Sequence, residues 1–298
     1  MKRTLTLLFL ALLSLSLSAS FDAKESDYRF YITASYAEDQ KLLEEALKSA
    51  SADEKYEILW RLSRDQLTIT DHRADGLSKD EKIAEYSKSE ELADQALSVK
   101  EGPDAYHWKA SAIGRIGQAN GPMNSLKKAK PMRSLVEKVQ NDYAADRSDS
   151  WYVLGLLYNQ LPGSISFGDK DAAISYMRRC LDTQDNENRS NLTNYLELAN
   201  QLWDRDDSAK KRAKAFEKMK KDYEKESLPT EKMKYYEGAM EQPFYLDTPL
   251  LKLSDREEAV RILEYGLANY EKRSNKLEDD RKLAAECQKR LSEMRDKL

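Results

Sequence analysis

Helix-start signals recur along the chain, with helical spacing between them and no stretch of useful length that alternates with period two. Ser35-x-x-Glu38, Ser51-x-x-Glu54, Ser78-x-x-Glu81 and Ser254-x-x-Glu257 each fit a capping box, in which a hydroxyl and a carboxylate satisfy orphan backbone donors. Pro103 and Pro229 stand where a first helical turn needs no amide donor. Between such signals the apolar residues fall three and four apart: Leu42, Leu43, Ala46, Leu47; Ile58, Leu59, Leu62; Leu92, Ala93, Ala96, Leu97. This pattern predicts an all-α fold of about eleven or twelve helices from near residue 36 to the C-terminus. Ten Gly and seven Pro in 298 residues are too few for a sandwich or barrel of many tight turns. A charged fraction of 34% implies many wetted faces, while 17 Tyr, 6 Phe and 4 Trp supply enough apolar surface to exclude a disordered chain.

Helical hairpins in series prompt a search for repeats. Trp151-x2-Leu154-Gly155-x2-Tyr158 has the form of the first helix of a tetratricopeptide repeat. In that motif Trp and Tyr fill the gap between stacked hairpins and the Gly admits the second helix. Ala173, Met177 and Cys180 supply the packing positions of that second helix, after a turn lengthened by Pro162 to Gly168. Weaker copies flank it. Trp60 and Trp108 mark upstream anchors, Tyr195-x2-Leu198-Ala199 a downstream first helix followed by Ala213 and Phe216, and Ala259-x3-Leu263-x2-Gly266 another second helix. The anchors Trp60, Trp108, Trp151 and Tyr195 lie 48, 43 and 44 residues apart. That exceeds the roughly 34 of a standard repeat, so helices or turns are lengthened in a tetratricopeptide-like α-solenoid. Pro131 is expected to kink or restart the helix around it. The segment from Gln242 to Leu253 reads as an apolar loop, and the charged last helix, Lys276 to Leu298, as a cap on the stack.

The first twenty residues stand apart: Lys2 and Arg3, an apolar run from Leu5 to Leu17, then Ser18, Ala19 and Ser20. This is the layout of a secretory signal peptide, too short for the roughly 20 apolar residues of a stable membrane span. The expected organisation is a signal at 1–20, a lead at 21–35, a repeat domain at 36–226 and a C-terminal helical extension at 227–298. The expected location is periplasmic or secreted, with no stable membrane insertion after cleavage. Loss of Lys2 and Arg3 moves the net charge from −4 to −6, a poor balance for nucleic acid. Cys180 and Cys287 read as unpaired thiols packed as small hydrophobes. Two Cys and two His without zinc spacing give no metal site, and no cofactor is expected. Neither a G-x-S-x-G turn nor a phosphate loop occurs, so the chain reads as a non-enzyme. Asp71-His72-Arg73 is read as a solvated turn, and Lys210 to Lys221 as one solvated helix face. Asn188-Arg189-Ser190 and Asn191-Leu192-Thr193 are glycosylation sequons if the source is eukaryotic.

Stacked hairpins create a concave surface lined by the first helix of each pair. With Trp151 setting the phase, that lining comprises Tyr152, Leu156 and Asn159. The same offset elsewhere gives Tyr106, Lys109, Ile113 and Ile116, and then Leu196, Asn200 and Trp203. Arg61 falls on the same side, where a salt bridge to a neighbouring helix is the favoured reading over an anionic ligand. The lining is mostly aromatic and aliphatic, which suits a protein partner or an apolar small molecule. A ligand carrier beside a transporter is the alternative.

Several stretches in order resemble the regulator-of-microtubule-dynamics family: Leu59-Trp60-Arg61-Leu62-Ser63-Arg64, Asp80-Glu81-Lys82, Ala93-x2-Ala96-Leu97, His107-Trp108-Lys109-Ala110 and the Trp151 to Tyr158 motif. The resemblance covers roughly residues 40 to 220 and implies a tetratricopeptide-like helical domain with a binding role, associated in some relatives with lipid between membranes. Pro131 and the tail after about residue 225 depart from it, and a signal peptide sets the chain apart from tubulin. A looser similarity is to periplasmic tetratricopeptide components of tripartite uptake transporters, which fits the expected location.

Overall fold

A computed structural model describes residues 21–184 and 191–298. The expected signal peptide and the Asn188 sequon lie outside the described residues. Among the described residues the chain forms α1 (Ala23–Tyr28), α2 (Tyr36–Leu47), α3 (Ala52–Arg73), α4 (Lys79–Val99), α5 (Pro103–Asn120), α6 (Pro122–Asp142), α7 (Ser148–Gln160), α8 (Lys170–Thr183), α9 (Leu192–Arg205), α10 (Ala209–Lys225), α11 (Pro229–Met233), α12 (Asp255–Lys272) and α13 (Glu278–Arg295). A π-helical turn, Arg29–Thr33, follows α1, and short 3-10 turns complete the set. The fold is all-α, and most helices pack on their neighbours in sequence. No described helix is long and apolar enough to cross a membrane.

The local signals operate as their chemistry requires at Ser51, Ser78 and Ser254, each of which closes a capping box with the Glu three residues on. Pro103 and Pro229 open α5 and α11. Ser35 makes no capping bond, because its hydroxyl turns instead to Thr33 at 2.9 Å. Pro131 neither ends nor restarts its helix: α6 runs through it. The ring is on the exposed face, where the backbone carbonyl that loses its amide donor can take water. The break falls earlier, at Gly121, whose φ of +95° suits glycine. The lead forms α1 and the π-helical turn, and Asp71, His72 and Arg73 form the last turn of α3 rather than an inter-helix turn.

The Trp151 to Tyr158 segment packs as its residues dictate. Trp151 stacks on Tyr176 of α8 at 5.8 Å, and Leu154, Tyr158, Ala173 and Cys180 close the same cluster. A Cβ on Gly155 would lie 2.7 Å from Met177 Sδ, so the glycine sets the α7–α8 distance. Trp60 anchors a smaller cluster with Tyr56, Leu59, Ala96 and Ala105. The second helix against α9 is α12 and not α10. Ala259 and Leu263 are fully buried there, and a Cβ on Gly266 would meet Tyr195 Cγ at 2.9 Å. Ala213, expected to pack on α9, is exposed. Residues 206–254 are thus inserted between two helices of one hairpin, and one core spans α8, α9, α12 and α13 across the expected boundary at 226/227. Tyr245, Leu246, Leu250 and Leu253 anchor the apolar loop in it.

Ionic networks hold this insertion and the lead. Arg178, Arg205 and Arg212 are interleaved with Glu237, Asp255 and Glu258, all with little or no exposure. Arg212 therefore does not belong to a solvated face, although the lysines around it do. At the other end Asp27 of α1 receives Arg61 and Arg64, and Arg64 also reaches Asp39 and Asp65. Cys180 and Cys287 are both buried, unpaired thiols.

Candidate functional site

The site is built from α5 and α7, which stand side by side and present one face each to a common groove. From α5 come Trp108, Ser111, Gly114, Arg115 and Gln118, at helical spacing; from α7 come Asp149, Tyr152, Val153, Leu156, Leu157 and Gln160. Leu67 of α3 and Met132 of α6 close the back. This cavity of about 220 Å³ adjoins a larger one of about 570 Å³ through five shared residues, Gly114, Gln118, Met132, Leu157 and Gln160. Leu126, Ala129 and Met132 from α6, with Leu161 and Ile165 from the loop after α7, make the larger one apolar. Its lips, Met123 and Ile165, are 71% and 73% exposed. Gly114 permits this shape, since a Cβ there would stand 2.6 Å from Met132 Cε.

The charged residues of the smaller cavity are paired, while Lys128 at the wall of the larger one makes no ion pair among the described residues. Arg115 donates to Asp71 Oδ2 from Nε at 3.1 Å and from a terminal nitrogen at 2.8 Å. Asp149 accepts from Arg147 at 2.7 Å. Burial raises the Asp149 pKa, but the charges of His107 and Arg147 outweigh it and hold the carboxyl well below its ordinary range. Burial lowers His107 to about 4, so at neutral pH Arg147 alone is the positive partner. His107 Nδ1 faces Ser150 Oγ at 3.0 Å and Nε2 faces Asp149 at 3.3 Å. These are the residue types of a nucleophilic triad, but Ser150 has no accessible surface and its hydroxyl cannot meet a substrate.

The expected groove residues divide. Tyr152 and Leu156 line it. Asn159, on the same helix, is half-buried and lies outside the lining. On α5 the expected phase is rotated: Tyr106 and Ile113 are buried, and Lys109 pairs with Asp94 of α4. Trp108, expected as an inter-hairpin anchor, packs against the clusters around Trp60 and Leu67 and also lines the groove. Arg61 is 5% exposed, doubly bonded to Asp27 at 3.1 and 2.9 Å and packed on Trp60, so it serves the lead and not a ligand. On α9 the late helix α13 crosses the expected surface: Arg290 donates to Asn200 at 2.8 Å and stacks near Trp203, with Arg256 on the same ring. Leu196 packs against the core there.

Sequence reasoning missed Ser111, Arg115 and Gln118. Their signal was present, as polar residues four and three apart among Ala110, Ala112, Ile113 and Ile116. No group of three His, Cys, Asp or Glu among the described residues is placed to hold a metal ion. No protein-family model matches the chain, and no curated protein matches it.

Proposed function

We propose that the chain is an exported, tetratricopeptide-like binding protein that holds an apolar ligand in the groove between α5 and α7, without catalysing a reaction. The observation that carries this reading is the pair of adjoining cavities, about 570 and 220 Å³, walled largely by methionine, leucine and tyrosine side chains, with Arg115 and Asp149 of the smaller one already paired and Lys128 at the wall of the larger. That is the size and character of a small-molecule site, which runs to roughly 300–1,000 Å³. It favours a small ligand over a partner protein. The solenoid reading draws support from the α3–α4, α5–α6 and α7–α8 hairpins and from the Trp151 motif at the third of them. Export rests on the n-region and apolar run of residues 1–20.

Native mass spectrometry of the chain purified from its host tests the reading. A bound organic molecule is expected on the native chain and is expected to be absent from a Tyr152→Asp/Leu156→Asp variant of unchanged helical circular dichroism. A ligand retained equally by that variant refutes the groove assignment.

A further inference from the structure

A second cleft lies where the lead and α3 meet the α12–α13 turn. Asn275, in the α12–α13 turn, donates to the Ile32 carbonyl at 2.6 Å, and His72 of α3 faces Asp279 of α13 at 3.3 Å. Tyr36 stacks on His72 at 5.2 Å and completes the seam. Beneath it is a cavity of about 510 Å³ that borders the α5–α7 groove only at Asp149. Its chemistry differs from that of the groove.

Among the described residues of its wall the charges are paired. Arg147 is held by Asp104 and Asp149, and Arg273 by Asp280 at 3.1 Å. A charged ligand would have to break one of these pairs to gain a partner. A hydroxyl needs no such exchange: it both donates and accepts, and it adds to the remaining lone pairs and N–H groups of an intact pair. Gln184, Asn191 and Asn194 also line the cleft. Asn194 donates to Gln184 Oε1 at 3.3 Å and Asn191 Oδ1 accepts from the Thr193 amide, so the second amide hydrogens and lone pairs of these groups are what a hydroxyl could meet.

Most of the remaining described wall is aromatic, with Ser148 and Leu277 beside it. Phe30 meets Tyr31 edge-on at 4.8 Å and Tyr36 at 5.0 Å, a three-ring cluster fixed by its own contacts. Tyr31 is 45% exposed, yet surrounding protein raises the pKa of its hydroxyl by desolvation. Tyr31 lines the cleft and remains open to a ligand there. An aromatic face attracts polarised C–H bonds, while paired charges and amides engage hydroxyls.

We propose that this cleft is a binding site for a neutral saccharide, whose ring C–H face stacks on Tyr31 and whose hydroxyls bond the Arg147–Asp149 and Arg273–Asp280 pairs and the nearby amides. It stands independently of the apolar groove. Saturation-transfer NMR on the full mature chain tests it with glucose, N-acetylglucosamine, xylose and maltose as probes, and glutamate and inorganic phosphate as charged counterparts. Transfer to the ring C–H protons of at least one sugar is expected, with affinity weakened about tenfold or more by Tyr31→Ala and kept by Tyr31→Phe. The Tyr152→Asp/Leu156→Asp variant is expected to bind the sugar unchanged, which separates this site from the groove. Transfer to none of the sugars, equal binding by Tyr31→Ala, or binding of glutamate or phosphate in their place overturns the proposal.

Discussion

Arg178 of α8 grips Glu258 of α12 with both terminal nitrogens, at 2.5 and 2.9 Å, across 80 positions of the chain. Between these two residues in sequence lies the inserted segment 206–254, and it is tied to the same carboxylate. Arg212 of α10 donates to Glu258 at 2.6 Å and Tyr245 donates at 3.0 Å. Burial raises the pKa of Glu258, and the charges of Arg178 and Arg212 outweigh it and hold the carboxyl below its ordinary range. Glu237 behaves alike: burial opposes ionisation, and Arg205, Arg178 and Arg212 together overcome it. The network sets where the insertion sits, and α12 in turn supports α9 and α13.

Removing one member leaves buried charge unpaired. Glu258→Gln is expected to lower unfolding stability by about 3–5 kcal/mol in a urea titration. A loss below about 1 kcal/mol would show that the network does not fix the insertion.

Asp65 gives a test with the opposite sign. Burial raises it to about 8, with Asp39 adding to the rise against the pull of Arg64. A carboxyl whose folded pKa exceeds its unfolded value contributes stability at low pH that is lost as pH climbs through the window, here from about 4 to about 8. Asp65→Asn removes that loss. The stability of the variant relative to the native chain should therefore rise across this window, by more than about 1 kcal/mol. A pH-independent difference between the two urea midpoints contradicts the assignment.

His107 titrates the other way. Its folded pKa of about 4 lies below the ordinary 6.5, so protonation favours the unfolded chain as pH falls between those values. Relative to His107→Gln, the native chain should lose up to about 3 kcal/mol between pH 6.5 and pH 4. Thermal melts of the two at both ends of the window measure it, and parallel behaviour would place His107 in water.

Helix spacing is checked at Gly266. Alanine there gains roughly 1 kcal/mol of helix propensity but sets a Cβ against the Tyr195 ring, and the net expectation is a loss of about 1–3 kcal/mol. Gly76→Ala meets nothing within 4 Å and serves as the control. Equal melting temperatures for the two variants would mean that α12 does not rest on Tyr195.

The all-α class and the α7–α8 hairpin were legible because they depend on local rules: capping boxes at Ser51, Ser78 and Ser254, and a Trp-Leu-Gly-Tyr motif that fixes helix phase. Tyr152 and Leu156 inherit that phase and reach the groove. Trp108 does both things an aromatic ring at helical spacing can do, packing on the clusters around Trp60 and Leu67 and lining the groove, and only the position of α7 reveals the second. The α9 surface was lost for a different reason. Nothing local to Asn200 or Trp203 announces that residues 206–254 intervene and that α13 returns to cover them. The salt bridge favoured for Arg61 is present, and only its partner was hidden, because Asp27 belongs to a lead that carries no strong helical signal.

Fluorescence titration with an anilinonaphthalene probe examines the groove most directly, comparing the native chain with Tyr152→Asp/Leu156→Asp. Saturable binding of one probe per native chain, with affinity reduced at least about tenfold in the variant, is the predicted result. Equal affinity in the two proteins, or no saturable binding to the native chain, would contradict an apolar ligand site between α5 and α7.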